Sequence, residues 1–296
     1  MERDAWDERH GEGDMKERQG RKIGRRRIVS TVMTGLAAFC ALTVSAVLIV
    51  ILGYILMRGV TSINLQFLMD RPRPVGEGGG IGNAITGTLL LLGLASVIGL
   101  PVGIAAGIYL AEYGDGWFGH TVRFVTDTLT GVPSIVVGVF VYTLIVIPQK
   151  HFSALAGGIA LALIMIPIVT RTTEEMIRLV PTSLREGALA LGAPQWRVTL
   201  GVVLPAASSG IATGAMLAIA RVSGETAPLL FTAFGSRFFF EGYLDQPIAS
   251  LTVQIYNYAI SPYDEWHAQA WAATLVLMTM ILLINIAVRF FTRQKV

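Results

Sequence analysis

The amino-acid sequence predicts an all-α, polytopic integral membrane protein with six transmembrane helices and both termini in the cytoplasm. Three observations carry this: a composition too apolar for water, six long uncharged stretches, and a lopsided distribution of Lys and Arg. Of 296 residues, 53% are hydrophobic and 15% charged, with mean hydropathy +0.61. An average soluble domain carries about 25% charged residues. The first 27 residues alone hold nine of the 23 Lys/Arg and seven of the 20 Asp/Glu. A soluble enzyme, a disordered protein and a collagen-like chain are excluded.

A bilayer core takes about 20 apolar residues as helix. The charged segment 1–27 reads as a disordered cytoplasmic tail, and 28–296 as the six-span domain. Span one is 28–57, uncharged between Arg27 and Arg58. It far exceeds the roughly 7–15 residues of a signal-peptide core, so it is read as an uncleaved anchor. Span two is 84–111, the apolar part of an uncharged stretch that begins at Gly78. Spans three to six are 128–149, 152–170, 198–220 and 268–288. A weaker uncharged stretch, 246–263, holds Pro247, Gln254, Asn257 and Pro262 and is read as an extramembrane or lip-lining helix. Pro101, Pro148 and Pro167 are expected to kink or end helices. Gly99, Gly103 and Gly107 repeat at the spacing that lets helix backbones approach closely, which reads as general helix packing.

Six spans place both termini on one side. With the N-terminus inside, 17 of the 23 Lys/Arg are cytoplasmic, as the positive-inside rule requires. Only Arg58, Arg71, Arg73, Lys150 and Arg237 fall outside, and Arg221 lies within a span. The single Cys40 and four scattered His offer no disulfide framework and no metal-ligand set. The basic tail suggests an anionic lipid leaflet as its neighbour, not nucleic acid.

The cytoplasmic loop 171–197 carries the most specific pattern. Pro181-Thr182-Ser183 ends one helix and starts another, with Thr182 or Ser183 as N-cap and Glu186 near its third position. The short helix 184–191, within a segment at about 182–192, stops at Gly192-Ala193-Pro194. A capped helix across such a loop presents a rigid docking face at small ordering cost. Glu186-Gly187-Ala188, Gly192, Val202 and Leu204-Pro205 resemble the EAA-x3-G-x9-I-x-L-P loop of binding-protein-dependent ABC importer permeases. Gly187 and Val202 depart from the pattern. The resemblance implies the fold of type I importer permeases and a coupling helix seated in a separate ATP-binding subunit. The chain has no G-x-x-x-x-G-K-[ST], so ATP and Mg belong to that partner and this subunit is not itself an enzyme.

Ionisable residues inside spans mark candidate sites. Arg171 closes span four and Arg221 closes span five, with Glu225 at i,i+4 from Arg221, able to pair with it if the helix continues. Arg suits oxyanion recognition, and Thr170, Thr172, Ser223 and Thr226 offer hydroxyls to the same anion. Arg171 could instead snorkel to headgroups, and Arg221 with Glu225 could be a neutral pair that locks helices. A cation site at Glu225 is disfavoured by the two nearby arginines.

Pro133-Ser134-Ile135-Val136-Val137-Gly138, Arg171-Thr172-Thr173-Glu174 and the run from Arg221 to Leu229 resemble the PstA family of phosphate transport permeases, from about residue 29 to 291. The resemblance implies that Arg171, Arg221 and Glu225 serve phosphate passage in a bacterial plasma membrane. It also implies a PstC-like second permease, two PstB-like ATP-binding subunits and a PstS-like extracytoplasmic phosphate-binding protein. Sulfate or molybdate would suit the arginines equally. A carboxylate such as Glu225 could take phosphate's proton while repelling sulfate. An intramembrane enzyme lacks a nucleophile–base pair in the spans, and a regulatory scaffold would have no ATPase to bind. Gly76-Glu77-Gly78-Gly79-Gly80 lacks the Lys-[ST] of a phosphate loop and reads as a flexible turn. Phe238-Phe239-Phe240 and Tyr243 read as an outer lip.

Overall fold

The computed structural model describes the backbone of residues 2–293 and the side chains of Arg27 and residues 29–290. Among them there is no β-strand, only an isolated bridge between Pro72 and Gly79. The chain divides into two compact units, 1–56 and 57–296. The first is formed by helix α1 (Glu2–Val60). Its stretch Val29–Val60 is long and apolar enough to cross a membrane. Phe39, Leu42, Val44 and Ile49 on it are all exposed, as suits a helix apolar all round and made for lipid. The helix is described back to Glu2. No proline interrupts residues 2–60, and a helix nucleated in the span propagates at one bond per residue.

The second unit comprises α2 (Leu65–Met69), α3 (Gly82–Glu112), α4 (Trp117–Gly131), α5 (Ser134–Gln149), α6 (Ala154–Arg178), α7 (Thr182–Ala190), α8 (Gln195–Ser223), α9 (Ala227–Thr232), α10 (Leu251–Ala259) and α11 (Asp264–Arg293). Among the described residues, five helices, α1 included, are long and apolar enough to cross a membrane, and the α4–α5 pair, bent by 104°, makes up to six. That bend corrects the third span. Residues 128–131 belong to α4, and the straight segment after the break is only α5, roughly 24 Å at 1.5 Å per residue. The break sits at Val132-Pro133. Pro133 supplies no N–H and forces Val132 into extended backbone, φ −70 and ψ 130,.

Pro101 and Pro167 lie inside α3 and α6 without ending them, and Pro148 falls at a helix end. Pro148 and Pro205 each follow a widened π turn, at Tyr142–Val146 and Thr199–Val203. In these turns the Ile147 N–H donates to the Tyr142 carbonyl and the Leu204 N–H to that of Thr199. The extra residue per turn moves the carbonyl that a proline ring would strike.

Small residues set the directions of the helices. A Cβ added to Gly99 would lie 3.0 Å from Met165, one on Gly103 2.7 Å from Val169, and one on Gly107 2.5 Å from Thr173. Both sides advance by four residues, so α3 and α6 run parallel, and the small-residue repeat is their packing seam. Across α6 and α8, Gly210 meets Met176 and Gly214 meets Thr172, an antiparallel pairing. Leu91, Leu161, Met165, Val169, Ala218, Val222 and Leu229 fill the core among α3, α6, α8 and α9.

This register gives depth. Gly214 stands level with Thr172, so Arg221 stands near Met165, about halfway along α6. Helix α8 therefore stops well short of the end of α6 opposite α7, and α9 covers the remaining depth: the Ser153 N–H at the start of α6 donates to the Thr232 carbonyl at 3.0 Å. The stretch 246–263 does not span. Its helix α10 packs its first turn, Leu251, Thr252 and Val253, into the protein, while Tyr256 and the C-capping Ile260 are exposed. The Leu251 N–H donates to Thr88 Oγ1 at 2.8 Å, and the preceding Ala249 backbone lies against Gly87.

Candidate functional site

Helix α8 ends at Ser223 because the chain turns at Gly224 and Pro228 starts α9. A helix broken at mid-depth exposes backbone polar groups that must find partners or line a cavity. One is satisfied by a neighbour: the Thr252 hydroxyl donates to the Glu225 carbonyl at 3.0 Å. The Glu225 carboxylate, 12% exposed, lies 3.6 Å from Arg221 Nη2. The Arg221 side chain is 63% exposed and lines a cavity of about 470 Å³ with Thr130, Ser134, Ile164 and Ile168. This pair is therefore a cation and a carboxylate at a helix break, with the cation turned into an apolar-walled space.

The structure separates the other expected path residues from that pair. Arg171 stands about six residues along α6 from the level of Arg221, roughly 9 Å at 1.5 Å per residue. Its guanidinium is compensated by Glu174 Oε2 and Glu175 Oε1, each at 3.4 Å, and by Asp127 Oδ1 at 3.8 Å. The expected hydroxyls are turned elsewhere. Thr172 donates to the Ile168 carbonyl at 3.0 Å and Ser223 to that of Ala220 at 2.7 Å. Thr170 is buried, 1% exposed, and its carbonyl lies in the Gly107 seam. Helical hydroxyls at membrane depth bond back to their own turn because no water competes.

Sequence reasoning missed the centre of this network. Glu174 is 2% exposed and accepts from Arg123 Nε at 2.7 Å, Arg178 Nη2 at 2.8 Å and Arg171 Nη1 at 3.4 Å. Arg123 on α4 also donates to the carbonyls of Gly114 at 2.7 Å and Leu110 at 2.6 Å, so one guanidinium ties α4, the end of α3 and α6 together. The Arg171, Glu174, Arg178 spacing was visible in the sequence as helical neighbours; the contact from Arg123 was not.

At the α7 end the expected docking helix is present and none of its residues is buried. It starts two residues earlier than expected: Pro181 is the N-cap, with no side-chain cap bond, and Thr182 and Ser183 are already helical. Glu186 and Gly187 are exposed and Ala188 half-buried. Gly192 adopts φ +80, and the Gly192 and Ala193 N–H groups donate to Leu189 and Ala188 carbonyls, the Schellman end that glycine allows. Leu204 and Pro205 sit in α8 just after its π turn, not on the loop. Arg185 joins α7 to the bundle: it pairs with Glu112, 6% exposed, and donates to the Ile177 carbonyl at 2.7 Å. Thr199 also donates to Glu112, at 3.3 Å.

At the opposite end, Arg71, Arg73 and Arg237 line one cavity. Tyr258 is near it; burial raises its phenol pKa, opposed by a hydrogen bond with Gln254 and the charge of Arg237. No group of three or more His, Cys, Asp or Glu suited to a metal occurs among the described residues.

Comparison with known proteins follows the same lines. The family described as binding-protein-dependent transport system inner membrane component matches residues 103–295. The phosphate transport system permease protein PstA of Yersinia pestis is 50% identical over 250 residues, 84% of this chain and 84% of that protein. The PstA of Haemophilus influenzae is 43% identical over 283 residues, 95% of this chain and 100% of its own. Among solved structures, an inward-facing MetNI methionine ABC transporter chain is 20% identical with TM-score 0.57, covering 73% of this chain and 94% of that one. A chain of a bacterial ABC transporter for import of the acidic polysaccharide alginate is 15% identical with TM-score 0.58, covering 90% and 99%. At these identities the structures show a shared fold.

Proposed function

We propose that this chain, which belongs to the family of binding-protein-dependent transport system inner membrane components, is the permease subunit of an ATP-driven importer of inorganic phosphate. The observation that carries the substrate is the 50% identity with a PstA permease over 84% of both chains. The Arg221–Glu225 pair at the break between α8 and α9 supports it physically. An always-charged guanidinium facing a cavity attracts an oxyanion, and a carboxylate beside it accepts a proton that phosphate carries and sulfate lacks at neutral pH. Arg171, held by three carboxylates, orders the α4–α6 contact beneath that cavity.

In this reading the subunit is a transporter component, not an enzyme, and works with a second, homologous permease chain, two ATP-binding subunits that hold ATP and Mg, and an extracytoplasmic phosphate-binding protein. Helix α7 is the coupling helix, with Glu186 and Gly187 toward the ATPase. Both termini and α7 lie on the cytoplasmic side of a bacterial plasma membrane, following the Lys/Arg asymmetry. ATPase closure displaces α7, and the bundle rocks about the mid-depth site.

The test is uptake of labelled phosphate by the reconstituted complex, with unlabelled sulfate and molybdate in excess, for wild type, Arg221→Ala and Glu225→Gln. Uptake that resists both competitors and falls at least about tenfold in Arg221→Ala supports the reading. Competition by sulfate moves the assignment to a general oxyanion importer. Unchanged phosphate-over-sulfate preference in Glu225→Gln removes the proton-acceptor role.

A further inference from the structure

The end of the bundle opposite α7 carries three arginines that the mid-depth site does not use. Arg71 and Arg73 flank Pro72 in a short hairpin whose bridge joins Pro72 to Gly79. The glycine turn at Gly76 and Gly78 is open, and the hairpin is close-packed at its base. The Gly80 N–H donates to the Arg71 carbonyl at 3.1 Å and the Gly82 N–H to that of Asp70 at 2.9 Å. Gly79 sits at φ +106, where a Cβ would also lie 2.7 Å from the Arg73 nitrogen. A Cβ on Gly80 would lie 2.3 Å from the Phe67 carbonyl. The backbone therefore holds both arginines at fixed places. Arg71 rests over the Phe238 ring, 5.7 Å from its centroid, and Arg73 is steadied by Asp70 at 3.1 Å.

Arg237 arrives from the loop after α9. It and the two hairpin arginines line a cavity of about 450 Å³, with Glu77 as the sole carboxylate in the wall. A second cavity of about 380 Å³ shares Pro72, Arg73 and Arg237 and runs on to Ser250, Gln254 and Asn257 at α10. Trp266 lines this second cavity, and its Nε1 is buried with no hydrogen-bond partner. Guanidinium groups thus converge on a concave space at this end of the bundle.

We propose that Arg71, Arg73 and Arg237 form an outer vestibule that binds a tetrahedral oxyanion, phosphate, before it passes inward to Arg221 and Glu225. The inference rests on the phosphate reading above for the identity of its ligand and for which end faces outward. Several forked donors on a recessed surface match a small tetrahedral anion with charge-assisted bonds. A recess with a carboxylate in its wall suits a protonated phosphate better than it suits the acidic side chains of a protein.

The test has two arms, both on the complete transporter. In the first, wild-type complex without its binding protein is treated with phenylglyoxal in the presence of phosphate, sulfate or chloride, and modified arginines are mapped by peptide mass. Phosphate should slow modification of Arg71 and Arg237 by on the order of tenfold relative to chloride; equal modification in all three anions overturns the vestibule. Protection by sulfate equal to that by phosphate keeps the vestibule as an oxyanion site and overturns the phosphate reading. In the second arm, R71Q/R237Q complex in proteoliposomes should lose phosphate uptake by about tenfold, while the Kd of loaded binding protein for the complex moves less than about twofold. Unchanged uptake, or a loss of uptake matched by an equal loss of binding-protein affinity, overturns the proposal.

Discussion

Replacing Glu174 by Gln tests whether one buried carboxylate holds the α4–α6 contact. The carboxylate is 2% exposed and its three arginine partners are unequal: the Arg123 side chain is 16% exposed, against 45% for Arg171 and 53% for Arg178. Breaking a buried pair by removing one partner costs about 3–5 kcal/mol, because the other charge is left uncompensated. Pairs with a solvated partner are worth about 0–1 kcal/mol each. Almost the whole penalty should therefore come from Arg123. Gln keeps one acceptor oxygen, so the lower end, about 3 kcal/mol, is expected. At about 2–4 °C per kcal/mol this lowers the unfolding midpoint by about 6–12 °C. The assay is tryptophan fluorescence of the detergent-purified chain, heated at one fixed rate because a scanned midpoint depends on rate. Arg178→Gln should shift it by no more than about 4 °C. In a double-mutant cycle, E174Q and R123M should couple by at least about 1.5 kcal/mol. Additivity within about 0.5 kcal/mol, or an Arg178→Gln loss as large as that of E174Q, would refute the reasoning.

Three further outcomes follow from packing and capping. Gly107→Val should overpack the α3–α6 seam, where even a Cβ comes within 2.5 Å of Thr173; a loss of about 1–3 kcal/mol should appear as a lower midpoint, and Gly93→Ala, with open space at its Cβ, serves as the silent control. Gly192→Ala forces an L residue into φ +80 at a cost of about 1–2 kcal/mol; ATPase activity of the assembled complex should lose its dependence on loaded binding protein while the chain still folds. Arg185→Met leaves buried Glu112 without its guanidinium, and phosphate transported per ATP hydrolysed should fall by more than about fivefold. A ratio equal to wild type would make the Arg185–Glu112 pair a static brace.

Much of this protein was legible before folding because a bilayer imposes one-dimensional rules. Uncharged runs of the required length located the helices to within a few residues for the second, fifth and sixth spans, since lipid tolerates neither charge nor unpaired backbone there. The Gly192 end of α7 was equally legible, because a positive φ after a short helix asks for glycine. Arg221 with Glu225 was found by the same local logic of i,i+4 neighbours.

The bend in the third span was not legible, for a reason of the same kind turned around. Hydropathy sums over residues 128–149 and is blind to a 104° bend, although Pro133 stood in the sequence. The tight hairpin at 71–80 was hidden because glycine marks freedom and close approach alike, and only the carbonyls of Phe67 and Arg71 decide which.

What the sequence determined by itself was therefore the list of helices, their apolar faces, the capped loop and the residue types of the site. What only the tertiary structure decided was depth and company. The register of α6 against α8 puts Arg221 at mid-bundle and Arg171 about two turns away, and the packing of α4 on α6 brings Arg123 across 51 positions of chain to Glu174. Such contacts depend on how two helix surfaces interlock, residue against groove, and that complementarity is a property of pairs of elements which no single stretch of chain encodes.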